Sequence, residues 1–200
     1  QFSGNKILLD NPKGSGYDVG ASLTDITLTT DDQKVYLSLK LGGTTTFFNV
    51  GVKTILTKKE IQSGQITNKN GLILLNAFGI DPLLFCEVFN GTLKKGVVDK
   101  KAKYNKTIIS SLLQSGIGYN YHVIHKMGKA ILSKKMDRAA MTKAATISSG
   151  ITVYYGGKTG TGKRVDVEFN SPSYNFKINI RDTQGTDGYP TRMMCDFKHK

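Results

Sequence analysis

The chain has 200 residues, of which 38% are hydrophobic, and its 28 Lys and Arg against 15 Asp and Glu give a net charge of +13. This length is enough for one domain whose core needs no disulfide or metal, and the composition excludes an intrinsically disordered chain. No apolar run reaches the roughly 18 residues of a membrane span. The isolated cysteines, Cys86 and Cys195, favour a reducing compartment. The chain opens at Gln1 without a methionine, which predicts further sequence upstream.

The first predicted element is a β-hairpin. The segments 24-TDITLTT-30 and 35-VYLSLKL-41 alternate with a period of two, and the turn-prone 31-DDQK-34 joins them. The β-branched and aromatic residues of 44-TTTFFNVGV-52 predict a third strand.

One face of this hairpin is predicted to carry an acid and a lysine together. If the turn centres on residues 31–32, Asp25 lies opposite Ser38 with Lys40 as its diagonal neighbour; if it centres one residue later, Asp25 faces Lys40 directly. In both registers Asp25, Thr27, Ser38 and Lys40 share a face, because side chains alternate along a strand. The opposite, apolar face is predicted to be core, and its residues are Ile26, Leu28, Val35, Leu37 and Leu39.

An acid beside a lysine suits the hydrolysis of a phosphodiester bond. A carboxylate at a strand end can hold Mg²⁺ together with waters and a backbone carbonyl, here that of Leu39. The metal lowers the pKa of a bound water and so supplies a nucleophile near neutral pH, while a neighbouring lysine neutralises the charge that develops. On this reasoning Asp25 is the predicted metal ligand and Lys40 the predicted catalytic cation.

Asp25, the hairpin turn and 38-SLK-40 resemble the core of the PD-(D/E)XK nucleases, the restriction-endonuclease-like superfamily. In that family an aspartate on one strand and an acid-x-lysine on the next form the metal site, and the resemblance covers roughly residues 18–50. It implies a Mg²⁺-dependent endonuclease with Ser38 in the second ligand position. Because serine supplies only a hydroxyl, a further carboxylate has to reach the site from Asp10, Asp18, Glu60, Glu87 or a residue upstream. The alternative is that Asp25 and Lys40 form a cross-strand ion pair on a solvated face.

The middle of the chain is predicted to be helical and strongly basic. Helical patterns cover 58–66, 70–78, 82–90, 105–116, 121–132 and 134–145, with helix ends predicted at Gly91, Gly116 and Gly128. Residues 94–143 hold twelve Lys and Arg against Asp99 and Asp137, which is +10 of the chain's +13. Such charge attracts polyanions through counterion release, and a lysine-rich solubility face is the alternative. The predicted contacts to nucleic acid here are Lys100, Lys101, Lys103, Lys106, Lys134, Lys135 and Arg138.

From residue 151 the strand pattern returns, in 151–157, 164–169, 174–182 and 191–198. The loop 157-GKTGTGKR-164 imitates a phosphate-binding P-loop, but Arg164 stands where Ser or Thr would bind Mg²⁺ and a strand follows, which predicts a hairpin tip. Lys158, Lys163 and Arg164 at this tip are further predicted contacts to a DNA backbone.

The spacing of His122 and His125 suits a shared helix face. A structural role or a phosphate contact is favoured over zinc binding, because no cysteine or acid cluster lies nearby in the sequence.

Together these patterns predict a single α+β domain over residues 1–200, with a mixed β-sheet and flanking helices. Its parts are a core hairpin and third strand (18–57), a basic helical region that faces DNA (58–150) and C-terminal strands (151–200). The predicted function is metal-dependent hydrolysis of double-stranded DNA, by a protein that has no membrane partner and is compatible with a homodimer. The alternatives are a non-catalytic nucleic-acid-binding protein and a structural or interaction protein of a phage. The segment 176-FKINIRDTQG-185 is loosely similar to phage-encoded proteins. Together with the expected reducing compartment, this similarity implies the cytoplasm of a bacterial or phage-infected cell.

Overall fold

The fold consists of strands in two sheets with helices beside them. The computed structural model describes residues 24–29, 32–43, 45–160 and 162–200. Within these residues the helices are α1 (Lys58–Gln62), α2 (Lys69–Ala77), α3 (Pro82–Asn90), α4 (Lys106–Ile117) and α5 (Arg138–Ala144). The strands are β1 (Ile26–Thr29), β2 (Lys34–Leu41), β3 (Thr45–Gly51), β4 (Val97–Asp99), β5 (Tyr121–Met127), β6 (Ala130–Met136), β7 (Thr152–Tyr155), β8 (Arg164–Asn170), β9 (Tyr174–Arg181) and β10 (Arg192–His199).

The two sheets differ in their strand pairing. The four-stranded sheet has the order β1-β2-β5-β6, with β2 parallel to β5 and the other pairs antiparallel. The six-stranded sheet has the order β3-β10-β9-β8-β7-β4 and is antiparallel throughout. The predicted α+β class, with a mixed sheet and flanking helices, is confirmed; the nuclease-like core stays a prediction.

Capping residues explain where the helices of the middle region begin and end. The Asp81 side chain accepts hydrogen bonds from the N–H groups of the first turn of α3, Pro82 follows at the first helical position, and Gly91 ends the helix with φ of 73°. Thr57 is the N-cap of α1: the Glu60 N–H donates to the Thr57 hydroxyl, and that hydroxyl donates to the Glu60 carboxylate. The helices predicted at 58–66, 70–78, 82–90 and 105–116 are confirmed.

One apolar core joins these elements. It is built on the inner face of the six-stranded sheet, which α3 and α4 contact, and Tyr155, Phe85 and Phe89 are among its largest fully buried side chains. Both cysteines are buried and free, so neither forms a disulfide. No single helix among the described residues is long and apolar enough to cross a membrane; α2 and α3 pass such a test only as a pair, with a bend of 101° between them.

The first hairpin is confirmed, but its predicted buried face is wrong. Ile26 pairs with Leu37, which is the register with the turn centred on residues 31–32. Ser38 is only 6% exposed whereas Leu39 is 45% exposed, so the polar face points inward and the apolar face outward. Alternation determines which side chains share a face, but which face is covered depends on the elements packed against β2, here β3 and α4.

The predicted helix at 121–132 is also wrong, because this segment forms the antiparallel strands β5 and β6. Tyr121, Val123 and His125 are buried at a period of two, which is the strand pattern. Gly128 lies in the turn between these strands with φ of 59°, and Gly116 lies inside α4, so neither ends a helix. Since β4 was not predicted either, the basic region 58–150 contains three strands and is not a helical wall.

Candidate nucleic-acid interface

The structure brings Asp25, Ser38 and Lys40 together, as the sequence predicts. Asp25 precedes β1 and its carboxylate accepts a hydrogen bond of 2.6 Å from the backbone N–H of Leu39. Lys40 is half-buried on the inward face; burial lowers the pKa of its amine, and the Asp25 carboxylate acts in the opposite direction. Ser38 and Lys40 are therefore partly desolvated on the inward face of β2, whereas Asp25 beside them is exposed.

The space beside this cluster is small. Ser38, Lys40, Phe47, Gly116 and Tyr121 are among the residues lining a cavity of about 20 Å³. A single water needs about 10–15 Å³, so this cavity holds about one water.

Two of the carboxylates that were candidates to complete the metal site, Glu60 and Glu87, lie on helices α1 and α3. Glu60 is held by hydrogen bonds at the junction of α1 and α2. These bonds, above all the one from the Thr67 hydroxyl, lower the pKa of the Glu60 carboxyl to about 2. Glu87 lies on α3, and Asp10 and Asp18 lie outside the described residues. Among the residues that are described, no group of three His, Cys, Asp or Glu side chains suits a metal ion. The predicted Mg²⁺, and the predicted roles of Asp25 and the Leu39 carbonyl as its ligands, stay predictions.

The loop 157–164 connects β7 and β8, so the predicted hairpin tip is confirmed. The three cationic side chains of this loop all contact other residues of the protein. Lys158 pairs with Glu168 at 2.7 Å, Arg164 pairs with Asp166 at 2.6 Å, and the Lys163 amine lies 5.6 Å from the centre of the Tyr189 ring. Of these three, Arg164 is the least available to an outside phosphate because its partner is buried.

Replacing Lys163 by alanine should leave the protein folded and should change the free energy of unfolding by less than about 1 kcal/mol, because it removes one exposed cation–π contact. The wild-type loop should bind no ATP, since Arg164 begins a strand where a P-loop has a helix N-terminus. Thermal unfolding and isothermal titration with Mg²⁺-ATP measure both. Saturable ATP binding that Lys163→Ala abolishes would contradict the assignment as a hairpin tip.

Lysines surround the outer edge of the six-stranded sheet. Strand β4 is the edge strand, with Lys94 and Lys95 exposed before it and Lys100 and Lys101 exposed after it. The predicted contacts Lys103 and Lys106 continue this exposed series towards α4. Asp99 is the acid within β4, and it accepts a hydrogen bond from the Lys101 N–H.

Two glycines bring the loop 157–164 to the same edge. Gly96 and Gly160 pack backbone against backbone, so closely that a Cβ added to Gly96 would overlap the Cα of Gly160. This contact brings the backbone of the loop to the residues that precede β4. From the loop, the Lys158 amine reaches Glu168 and the Lys163 side chain reaches Gly91 and Gly188. We call the resulting surface the lysine edge, and define it as Lys94, Lys95, Lys100, Lys101, Lys158 and Lys163.

The remaining predicted contacts belong to the four-stranded sheet. Lys134 points inward with its amine 4.8 Å from the centre of the Tyr174 ring, and burial lowers the pKa of that amine. Lys135 and Arg138 are exposed at the junction of β6 and α5. The predicted contacts therefore fall into two groups, one on each sheet, and Lys134 faces the protein interior.

No family model, curated protein or solved structure matches this chain. Its function is therefore inferred from its own residues.

The two histidines of 121–125 do not share a helix face, because they lie on β5 and point to opposite sides of the sheet. His125 is buried, with its Nε2 2.6 Å from the Gly42 carbonyl oxygen and its Nδ1 3.0 Å from His199 Nε2. Burial lowers the pKa of His199, and the nearby positive charges of His125 and Lys134 lower it further. Of the two favoured alternatives, a structural role and a phosphate contact, these contacts give His125 the structural one, since it joins β5 to β10 of the other sheet.

A polar network on the outer face of the six-stranded sheet was missed. Asp166 on β8 is 1% exposed and accepts hydrogen bonds from Arg164, while the Lys177 amine lies 3.3 Å from its second oxygen. Further along, the Asn179 amide and the Thr46 hydroxyl donate to Asp196. The alternation in 164-RVDVEF-169 indicates a polar face, but the burial of Asp166 also depends on Lys177, which lies on the neighbouring strand β9.

Proposed function

We propose that this chain is a non-catalytic nucleic-acid-binding protein whose lysine edge contacts phosphate backbones. The observation that carries the proposal is the convergence of residues 94–101 and 157–164 at strand β4, through the contact of Gly96 with Gly160. Two separate basic segments of the sequence thereby form one exposed surface. Its lysines present ammonium groups on flexible stems, which neutralise phosphates without reading a base sequence.

The charge balance of the lysine edge supports this function. Of its six members, Lys158 has a carboxylate partner in the described structure, and Lys94, Lys95, Lys100 and Lys101 are in no ion pair there. Phosphates that displace counterions from such lysines give an affinity that depends steeply on salt. The net charge of +13 adds long-range attraction for any polyanion.

Endonuclease activity stays a prediction. The cluster of Asp25, Ser38 and Lys40 has one carboxylate, which accepts a hydrogen bond from the Leu39 N–H, and a cavity of about 20 Å³. The geometry therefore supports binding over cleavage.

Replacing Lys94, Lys95, Lys100 and Lys101 by alanine should weaken binding to duplex DNA and flatten its dependence on salt. Each lost phosphate contact reduces the magnitude of the log–log slope by about 0.9, so the loss of four contacts should reduce it by roughly 3.6 units. The matched control replaces four exposed lysines outside the lysine edge, Lys53, Lys69, Lys143 and Lys200, and changes the net charge equally. Fluorescence anisotropy from low to high salt measures both slopes.

Equal slopes for the two quadruple variants would show that net charge, and not the lysine edge, accounts for binding. Absence of salt-dependent binding in the wild type would contradict the proposed function outright. Mg²⁺-dependent nicking of plasmid that Lys40→Ala abolishes would instead favour the endonuclease.

A further inference from the structure

A cleft opens at the end of the four-stranded sheet, away from the lysine edge. It has a volume of about 540 Å³ and lies where β2 and β5 begin and β6 ends. Because β2 and β5 run parallel, their first residues meet at the same edge of the sheet. Three rings and three cations are among its lining side chains: Tyr36, Tyr119, His122, Lys34, Lys135 and Arg138.

The cleft carries positive charge without a free acid among the described residues that line it. Asp137 is the one carboxylate in that set, and it is used as the N-cap of α5, where it accepts a hydrogen bond of 2.8 Å from the Ala140 N–H. Lys34 and Lys135 take part in no ion pair within the described structure. The lining therefore offers cations to an anionic ligand.

Tyr119 and Arg138 combine a ring and a planar cation at this cleft. The guanidinium carbon lies 4.7 Å from the centre of the Tyr119 ring, and an Arg138 N–H donates a hydrogen bond of 2.8 Å to the Tyr119 hydroxyl. Asn120 holds the adjoining turn with φ of 72°, a left-handed conformation that asparagine tolerates better than most residues. The turn thus fixes Tyr119 at the start of β5, where its ring lines the cleft.

We infer that this cleft binds an unpaired nucleotide of a single-stranded nucleic acid. Its volume lies within the roughly 300–1,000 Å³ of ligand sites. Proteins that bind single strands combine aromatic side chains with cations. The bases stack on the aromatic faces, while Lys and Arg contact the backbone. In a duplex the bases are stacked on one another and are not available to the rings. The inference rests on the proposed nucleic-acid binding but names a different surface and the strand state of the ligand.

The test compares a labelled single-stranded oligonucleotide, as DNA and as RNA, with a duplex of the same length. Tyr119→Leu keeps an apolar side chain but removes the ring, and should weaken single-strand binding roughly tenfold to 100-fold, the range for loss of one stacked base. Duplex binding should not change. Arg138→Lys keeps the charge but loses the planar group, so it should weaken single-strand binding about threefold at an unchanged salt slope.

The exposed residue Lys143, on α5 but outside the lining of the cleft, provides the charge-matched control. Arg138→Ala should lower the salt slope for single strands by about 0.7, whereas Lys143→Ala should not. Because Arg138 is exposed, its variants report on the cleft even if Tyr119→Leu fails to fold. Equal losses for single and double strands, or no loss in the Arg138 variants, would overturn the inference.

Titration with AMP, followed by NMR, separates this inference from the proposed function. Shifts confined to the amides of residues 34–36, 119–122 and 135–138 support the cleft even if the lysine edge proves not to bind duplex DNA. The opposite result would be no AMP shifts and no preference for single strands, while the lysine-edge variant still weakens duplex binding. That result would overturn the inference about the cleft and leave the proposed function standing.

Discussion

Replacing Asp166 by alanine should lower the free energy of unfolding by about 4 kcal/mol, since removing one partner of a buried charge cluster costs about 3–5 kcal/mol. Asp166 is 1% exposed and accepts hydrogen bonds of 3.0 and 2.6 Å from Arg164, with the Lys177 amine 3.3 Å away. Its loss leaves two partly buried cations facing each other without an anion. Urea denaturation followed by circular dichroism measures the change.

Glu168 supplies the matched control for this variant. It lies two residues further along β8 and pairs with Lys158, whose side chain is 58% exposed. Exposed pairs contribute about 0–1 kcal/mol, so Glu168→Ala should cost less than about 1 kcal/mol. If Asp166→Ala costs no more than Glu168→Ala, the carboxylate of Asp166 is not enclosed as the structure describes.

The helices of the middle region were predictable because their ends carry local signals. Asp81 followed by Pro82 marks the start of α3 and Gly91 its end, and these residues act within a few positions of one another. The strands of the C-terminal sheet were predictable for a similar reason, since each alternates apolar and polar residues over its own length.

The orientation of the first hairpin was not predictable from its own residues. Leu39 and Leu41 are exposed whereas Ser38 is buried, because β2 is covered on its polar face by residues that are distant in sequence, Phe47 and Gly116. Alternation identifies the two faces and leaves the choice between them to packing. The same limit applies to β5, whose apolar residues suit a strand or a buried helix.

The sequence predicts which segments of the candidate interface are basic, but it does not predict that these segments lie side by side in one surface. Lysine-rich composition identifies 94–106 and 157–164 separately, and their union depends on the contact of Gly96 with Gly160, which no local pattern reveals. The ion pair of Arg164 with the buried Asp166 also depends on the fold. It forms because both residues lie on β8, where side chains two residues apart share a face.

Replacing Gly71 by alanine should destabilise the protein by about 2 kcal/mol, which for a chain of this size lowers the melting temperature by about 4–8 °C. Gly71 lies in α2, where an added Cβ would overlap the carbonyl oxygen of Ile55. That carbonyl cannot move freely, because the backbone N–H groups of Ile55 and Leu56 both donate to Val52. The overlap outweighs the gain of about 1 kcal/mol that alanine brings to a helix.

Gly150→Ala is the control, since a Cβ there meets no atom within 4 Å. It should leave the melting temperature unchanged or raise it slightly, because alanine restricts the unfolded chain. Differential scanning calorimetry of both variants separates steric overlap from the general effect of replacing glycine. Equal melting temperatures would mean that α2 does not pack against the turn at 52–56.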